Sequence, residues 1–309
     1  MTHVVFGTGP VGLALVEHLA EAGHDVVAVN RSGGADVPDG VRLVAGDASD
    51  SDFTVDVMRG ASVAYQCLAP PYTRWPELFP ALQAAVVEGA VASGAKLVSF
   101  GNLYLYGSPN GVPFTEDRPP APTGQKGRVR ADMAQELMDA HASGRVRVVI
   151  GRASDYFGPR GMLSHMGERV FYPVLAGKNA QVFGDPTQPH TYSYIPDIAA
   201  GLATLGERDD ADGRAWNLPN AETLSTQEFI SKAYAAAGTT GKVSAMPAAL
   251  VNLVALFNGD VREIKEVIPG FKEPYVVDST AFESTFGRAA TPLDTSIPAT
   301  VEWFRSHPK

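Results

Sequence analysis

Three glycines, Gly7, Gly9 and Gly12, follow a short apolar run from His3 to Phe6. A turn stripped of side chains lets main-chain amides come close to a charged ligand. A helix beginning there adds unpaired N–H groups and the positive end of its dipole. That is the chemistry of phosphate recognition. Gly7 permits the sharp turn, Gly9 permits the approach of a diphosphate beside Pro10 and Val11, and Gly12 permits close packing of helix on strand. A second set closes the next apolar run, where Val26–Val29 ends in Asn30, Arg31 and Ser32. An acidic residue there would take a ribose 2′-hydroxyl and repel a 2′-phosphate, whereas a guanidinium and a hydroxyl suit phosphate oxygens. Together the two sets predict a dinucleotide site that prefers NADP(H) over NAD(H). The competing readings are ordinary turn glycines and a solvated loop charge at Arg31.

These residues need elements to hold them. His3–Phe6, a helix with Val11, Leu15 and Leu19 on one side, the break at Gly23 and the run Val26–Val29 read as strand, turn, helix, strand. A third strand, Val41–Ala45, ends at Gly46–Asp47, where Asp47, beside Ala48, either accepts from an adenine amino group or caps the next helix. Val63–Leu68 is a fourth strand. Leu68, Ala69 and Pro70 then leave its carboxyl end, where ligands of open parallel sheets collect. A long helix over 75–93, a fifth strand Lys96–Phe100, an amphipathic helix Arg128–His141 and a sixth strand Val146–Ile150 complete the alternation. Strands alternating with helices imply an α/β protein with a Rossmann-type doubly wound parallel sheet. Beyond Gly161 the pattern loosens into a helix over Met162–Ala176, a strand Ala180–Phe183, a helix from Pro196 or Asp197, a strand Ala215–Leu218 and a helix Ser225–Ala237. We read a dinucleotide-binding domain over 1–160 and a smaller mixed C-terminal substrate lobe over 161–309. Segments of about 190–218 are expected to return to the first domain.

Composition narrows the function classes. With 45% hydrophobic and 19% charged residues the chain suits a soluble globular protein, and its net charge of −9 disfavours nucleic acid and anionic membrane as partners. A single cysteine, Cys67, excludes an internal disulfide framework and fits a reducing cytoplasm; its apolar surroundings read as core rather than nucleophile. No His/Cys cluster has metal-ligand spacing, so no metal is expected. The chain enters a strand at once, without a signal peptide. The apolar run Leu250–Phe257 is too short for a membrane span and reads as a buried helix.

The glycine turn, the Asp47 strand end, LYLYG at 103–107, GRASDYFGP after the sixth strand, YSYIPDIA at 192–199 and WNLPN at 216–220 occur in this order. Together they resemble the extended or atypical short-chain dehydrogenases/reductases, which include nucleotide-sugar epimerases and dehydratases. The resemblance implies a Ser or Thr, a Tyr and a Lys, the last two in Tyr-x-x-x-Lys. There the Tyr moves the substrate proton while Lys⁺ eases its ionisation and bonds the nicotinamide ribose. This chain departs at each position: Asn102 stands for the Ser, Lys126 for the Tyr and Arg130 for the Lys. Asn102 keeps an oxyanion donor, and Arg130 keeps a permanent cation for ribose hydroxyls. The proton donor is then Lys126 or a tyrosine among Tyr104, Tyr156, Tyr192 and Tyr194. The same resemblance places Ala153 and Ser154 at the nicotinamide and puts Asp155, as an acid or a loop cap, where an Asn is usual. It also puts His190 where an Arg contacts a diphosphate. Asp155, Tyr156, His190 and Tyr192 are the substrate-side candidates, with a hydrogen-bonded loop histidine as the alternative for His190.

The first functional expectation is an NADP(H)-dependent oxidoreductase acting on a small carbonyl, enone or hydroxyl substrate. The alternatives are a nucleotide-sugar epimerase or dehydratase, and a non-redox NADP(H)-binding sensor or partner protein. Relatives often dimerise through two helices, here 74–93 and 125–143, which leaves a homodimer as an option.

Overall fold

The structure is a computed structural model describing residues 1–247 and 265–309; the run Leu250–Phe257 lies outside the described residues. Alternation along the first half yields β1 (Thr2–Phe6), α1 (Pro10–Glu21), β2 (Asp25–Asn30), β3 (Arg42–Ala45), α2 (Ser51–Val57), β4 (Val63–Gln66), α3 (Trp75–Ser93), β5 (Lys96–Gly101), α4 (Gln125–Ala142) and β6 (Val148–Arg152). With Ala215–Asn217 these strands form one seven-stranded sheet, in the order Ala215–Asn217, β6, β5, β4, β1, β2, β3. Every pairing is parallel. The chain winds one way from β1 through β2 and β3, and the other way through β4, β5 and β6. The reversal lies between β1 and β4, with Phe6 opposite both Val29 and Gln66. Ligands of such sheets bind beyond the carboxyl ends at this switch.

The central strands are buried on both faces, as a parallel sheet requires. Val4, Phe6, Val27, Val29, Leu97, Val148 and Ile150 form one core with Val57, Leu82, Val86 and Leu137 of the helices. Burying each large side chain contributes roughly 1.5–3 kcal/mol, so the strand ends that carry polar groups stand on a rigid base.

The chain divides into two compact units. The first holds residues 1–105, 125–153 and 198–218; the second holds 106–124, 154–197 and 219–309. Residues 106–124 and 154–160, placed with the nucleotide domain on sequence, thus group with the second unit, and 198–218 is the segment that groups back with the first. In the second unit Asp155–Phe157 pairs in parallel with Tyr192–Tyr194, and helices Glu168–Leu175, Thr226–Ala237 and Leu293–Ser306 share a core of Phe171, Phe229, Ile230, Ile297 and Phe304. Ser225 and Glu228 make a reciprocal cap at the start of Thr226–Ala237.

The helix expected over Met162–Ala176 is confined to Glu168–Leu175. Carbonyl oxygens of Gly161 and Met162 fill the place a Cβ on Gly167 would take, at 2.2 and 2.4 Å, so Gly161–Gly167 folds as turns. No helix among the described residues is long and apolar enough to cross a membrane.

Candidate active site

The glycine turn sits at the sheet's switch point, and its three glycines do different work. Gly7 has φ +101, and a Cβ there would lie 2.6 Å from the Cys67 carbonyl oxygen. A Cβ on Gly12 would lie 1.9 Å from the Gly7 carbonyl oxygen. A Cβ on Gly9 would meet nothing within 4 Å. Gly7 and Gly12 are therefore demanded by the protein itself, whereas nothing in the protein crowds Gly9. Gly9 is the N-cap of α1, Pro10 opens the helix, no side chain caps it and its first turn carries no acid. Unpaired amides at this end suit a diphosphate. Val11 and Gly12 are buried beneath it.

At the end of β2, Asn30 braces the loop that follows. Its amide donates to Thr8 Oγ1 at 2.8 Å and to the Gly34 carbonyl at 3.2 Å, and its carbonyl accepts from the Gly33 N–H at 2.6 Å. Thr8, which no spacing signalled, thus ties the glycine turn to this loop. Arg31 and Ser32 are exposed. The Asp47 carboxyl accepts both the N–H and the hydroxyl of Ser49, which hold it below the usual carboxylate range, with the Arg31 charge adding to this. The cap of α2 is Asp50, which accepts from the N–H groups of Asp52 and Phe53, so Asp47 is not the cap. Ala48 is buried.

Beyond β4, the loop Leu68–Pro70 is held by the Trp75 indole, which donates to the Pro70 carbonyl at 2.9 Å. Trp75 then organises the acid–base candidates. Tyr72 stacks on it at 4.8 Å, Tyr104 lies 6.2 Å away, and the Arg130 guanidinium packs 4.9 Å from its ring and 4.4 Å from that of Phe79. Asn102 Oδ1 accepts from the Tyr104 N–H at 3.3 Å, and the Tyr104 and Tyr72 hydroxyls are 3.3 Å apart. Lys126 is 2% exposed, with its Nζ 5.7 Å from the Tyr72 ring centre. Burial brings the Arg130 pKa down to about 10, and its Nε has no hydrogen-bond partner. Arg130 lines a cavity of ≈20 Å³ with Ser99, Asn102 and Arg152, room for about one water. Asn102, Tyr104, Lys126 and Arg130 are thus brought together, and the structure adds Tyr72 and Trp75. Neither stands in a recognisable spacing.

The remaining candidates lie in packed surroundings. Tyr192 is a core residue of the second unit: it is buried, its hydroxyl is 2.7 Å from Thr226 Oγ1, and burial pushes its ionisation upward. His190 is no open pocket residue. It is 3% exposed, its Nε2 is 2.9 Å from Asp155 Oδ2, and its ring stacks on Phe271 at 4.9 Å and Tyr275 at 4.7 Å. Asp155 is accordingly this histidine's partner rather than a loop cap. The Ser154 hydroxyl donates to the Thr191 carbonyl at 2.6 Å and is buried, as is Ala153. Tyr156 is half-buried in the second unit. Cys67 is core, its thiol pushed up to about 12 by burial.

Comparisons with known proteins follow the same lines. Residues 4–218 match the model of the NAD dependent epimerase/dehydratase family. The chain is 29% identical to a UDP-glucose 4-epimerase of Streptomyces lividans over 74% of this chain and 78% of that protein. It is 25% identical to a dTDP-glucose 4,6-dehydratase of Streptomyces griseus over 69% of this chain, and it spans only 60% of that protein's length. Among solved structures, UDP-glucuronic acid 4-epimerase from Bacillus cereus, in complex with UDP-glucuronic acid and NAD, superposes with a TM-score of 0.80 over the whole of both chains at 18% identity. These relatives are sugar-nucleotide enzymes rather than small-carbonyl reductases, so they favour the second functional expectation over the first. With its seven-stranded parallel sheet and a family match covering residues 4–218, this chain belongs to the NAD dependent epimerase/dehydratase family.

Proposed function

We propose that the chain binds a pyridine dinucleotide on its first unit and interconverts hydroxyl and carbonyl groups of a nucleotide sugar, as an epimerase or dehydratase. The observation that carries this reading is the space over Gly9 at an uncapped, acid-free helix start. Family membership and the sugar-nucleotide relatives support the substrate class. When bound, the nicotinamide supplies reversible oxidation at a hydroxyl-bearing carbon. This chain's residues hold the dinucleotide and move protons. Amides at the start of α1 take the diphosphate, and Leu68–Pro70 lies along the cofactor at the end of β4. Arg31 and Ser32, with no acid at the strand end, favour the 2′-phosphate and hence NADP(H). Tyr104 serves as proton donor beside Asn102, and Lys126 and Arg130 supply the positive charge that stabilises a phenolate.

Calorimetry of the purified protein against NAD⁺, NADH, NADP⁺ and NADPH tests the first half. Binding is expected, with Gly9→Val weakening it about a hundredfold and Arg31→Ala reducing the preference for NADPH over NADH about tenfold, or about 1.4 kcal/mol. Absence of heat with all four nucleotides overturns the reading. Product analysis by NMR on UDP- and dTDP-hexoses, without net cofactor consumption, tests the second half.

One observation favours a second reading, net reduction of a small carbonyl by NADPH. His190, where the resemblance expects a diphosphate-contacting arginine, is sealed among rings and bonded to Asp155. Loss of nicotinamide absorbance with a carbonyl panel, and no change in any sugar nucleotide, selects this reading.

A further inference from the structure

We propose that Tyr72 and Tyr104 form a two-phenol proton relay, in which Tyr72 is the positioning residue that resupplies Tyr104. The inference deepens the functional reading above and rests on it. Tyr72 comes from the short helix Tyr72–Arg74 that precedes α3, and Tyr104 from the short helix Tyr104–Tyr106 after β5. Nothing in the sequence joins them, yet their hydroxyl oxygens lie 3.3 Å apart, a long hydrogen bond that closes to transfer distance with a small ring movement.

Each phenol is held from a different side. The Asn102 side chain takes the Tyr104 N–H. The Tyr72 ring lies nearly parallel to the Trp75 indole, at 14° and 4.8 Å, and Trp75 is itself anchored to the Pro70 carbonyl. Two cations from one helix approach the pair: Lys126 near the Tyr72 ring, and Arg130, whose charge interacts with both phenols. The charged neighbours on the Tyr72 side, Arg74 and Glu77, are engaged with one another at the surface.

During reduction of a substrate carbonyl by the nicotinamide, the Tyr104 O–H bond breaks as a new O–H bond forms on the substrate oxygen. The Tyr72 proton crosses to Tyr104 Oη, and the negative charge comes to rest on Tyr72 Oη, on the ring whose centre lies 5.7 Å from Lys126 Nζ. Oxidation runs the same transfers backward. Placing the final charge one phenol away from the substrate, next to two cations, supplies what a tyrosine on α4 itself would have supplied directly.

The test uses the protein alone first. Tyrosinate absorbance is followed against pH in the wild type, Tyr72→Phe, Tyr104→Phe and Lys126→Met, with melting temperatures confirming that each variant folds. Of the ten tyrosines, Tyr65, Tyr192, Tyr194, Tyr234 and Tyr275 are pushed upward by burial and so leave the early part of the curve less crowded. One phenol equivalent is expected to ionise ahead of the rest in the wild type, to vanish from that position in either Phe variant and to move to higher pH in Lys126→Met. An early step that is missing in the wild type, or that survives both Phe substitutions, overturns the relay. Where a UDP-hexose is turned over, Tyr72→Phe is expected to lower kcat about a hundredfold with KM and the NADP⁺ Kd unchanged; equal kcat overturns it too. Failure of the functional reading looks different: no nucleotide binds, whatever the phenols do.

Discussion

The glycine turn of the first unit and the ring stack of the second are built on opposite principles. At Gly9 side chains have been left out, and the space over it is open. In the second unit rings fill every step of a column running Tyr106, Phe114, Tyr275, His190, Phe271, His165, Phe183, with successive centres 4.3–5.6 Å apart. Polar atoms occur in both regions. In the turn they are main-chain amides at a helix start that no side chain caps; in the column they are an imidazole and a carboxylate facing each other, Asp155 with His190. The difference separates residues that wait for a ligand from residues that hold the fold, even when both are of types that do chemistry.

The largest expected effect breaks the turn itself. Gly12→Ala drives a methyl to 1.9 Å from the Gly7 carbonyl oxygen, and backbone cannot yield as a flexible side chain would. The cost exceeds the usual range for overpacking of about 1–3 kcal/mol, so little folded protein is expected at ambient temperature. Gly9→Ala meets open space and should leave the melting temperature within about 2 °C, while nucleotide affinity falls. Circular dichroism melts paired with calorimetry check both. Equal stability of the two variants would show that the glycines do not divide their work as argued.

The same contrast explains what could be read in advance. Strands β1 to β6, α3 over Trp75–Ser93 and the dinucleotide turn were legible because each rests on local periodicity or on glycines at fixed offsets. Asn102, Lys126 and Arg130 were reachable only by resemblance; the structure shows which rings and side chains they lie against, and their roles stay a proposal. Tyr72 was not legible: its partner lies 32 positions away and the link is one hydroxyl pair. The pairing of Asp155–Phe157 with Tyr192–Tyr194 was hidden for a related reason, since three-residue strands have no period to show. His190 read equally well as a pocket residue or a bonded one until Phe271 and Tyr275 were seen on its two sides.

Acid should act on both regions, and with the same sign. In the first unit burial lowers His3 to about 4, helped by His24 and the N-terminus and opposed by Asp25. In the second, burial lowers His165 to about 3, with Asp155 opposing. Unfolded, both take a proton near 6.5. Between those values the unfolded chain holds protons the folded one refuses, so stability is present above pH 6.5 and is lost as the pH falls toward 4. The slope is about 1.4 kcal/mol per pH unit for each histidine. Urea unfolding from pH 7 to 4.5 measures it, and His3→Gln should remove about half. A flat curve over that range would mean that neither ring is kept neutral by burial.

The smallest effect expected tests how closed the column is. Asp155→Asn keeps an oxygen and an amide beside His190 Nε2, so a hydrogen bond survives and the cost should be about 1 kcal/mol. Asp155→Leu leaves the imidazole facing an apolar group, and about 2 kcal/mol is expected. Neither change should alter the affinity for NAD⁺ or NADPH, because nothing in the glycine turn depends on this carboxylate. Urea midpoints rank the two variants, and calorimetry reads the nucleotides. If Asp155→Asn weakened nucleotide binding while sparing stability, the carboxylate would be answering to a ligand, and the pair would belong with the open turn rather than with the stack that seals it.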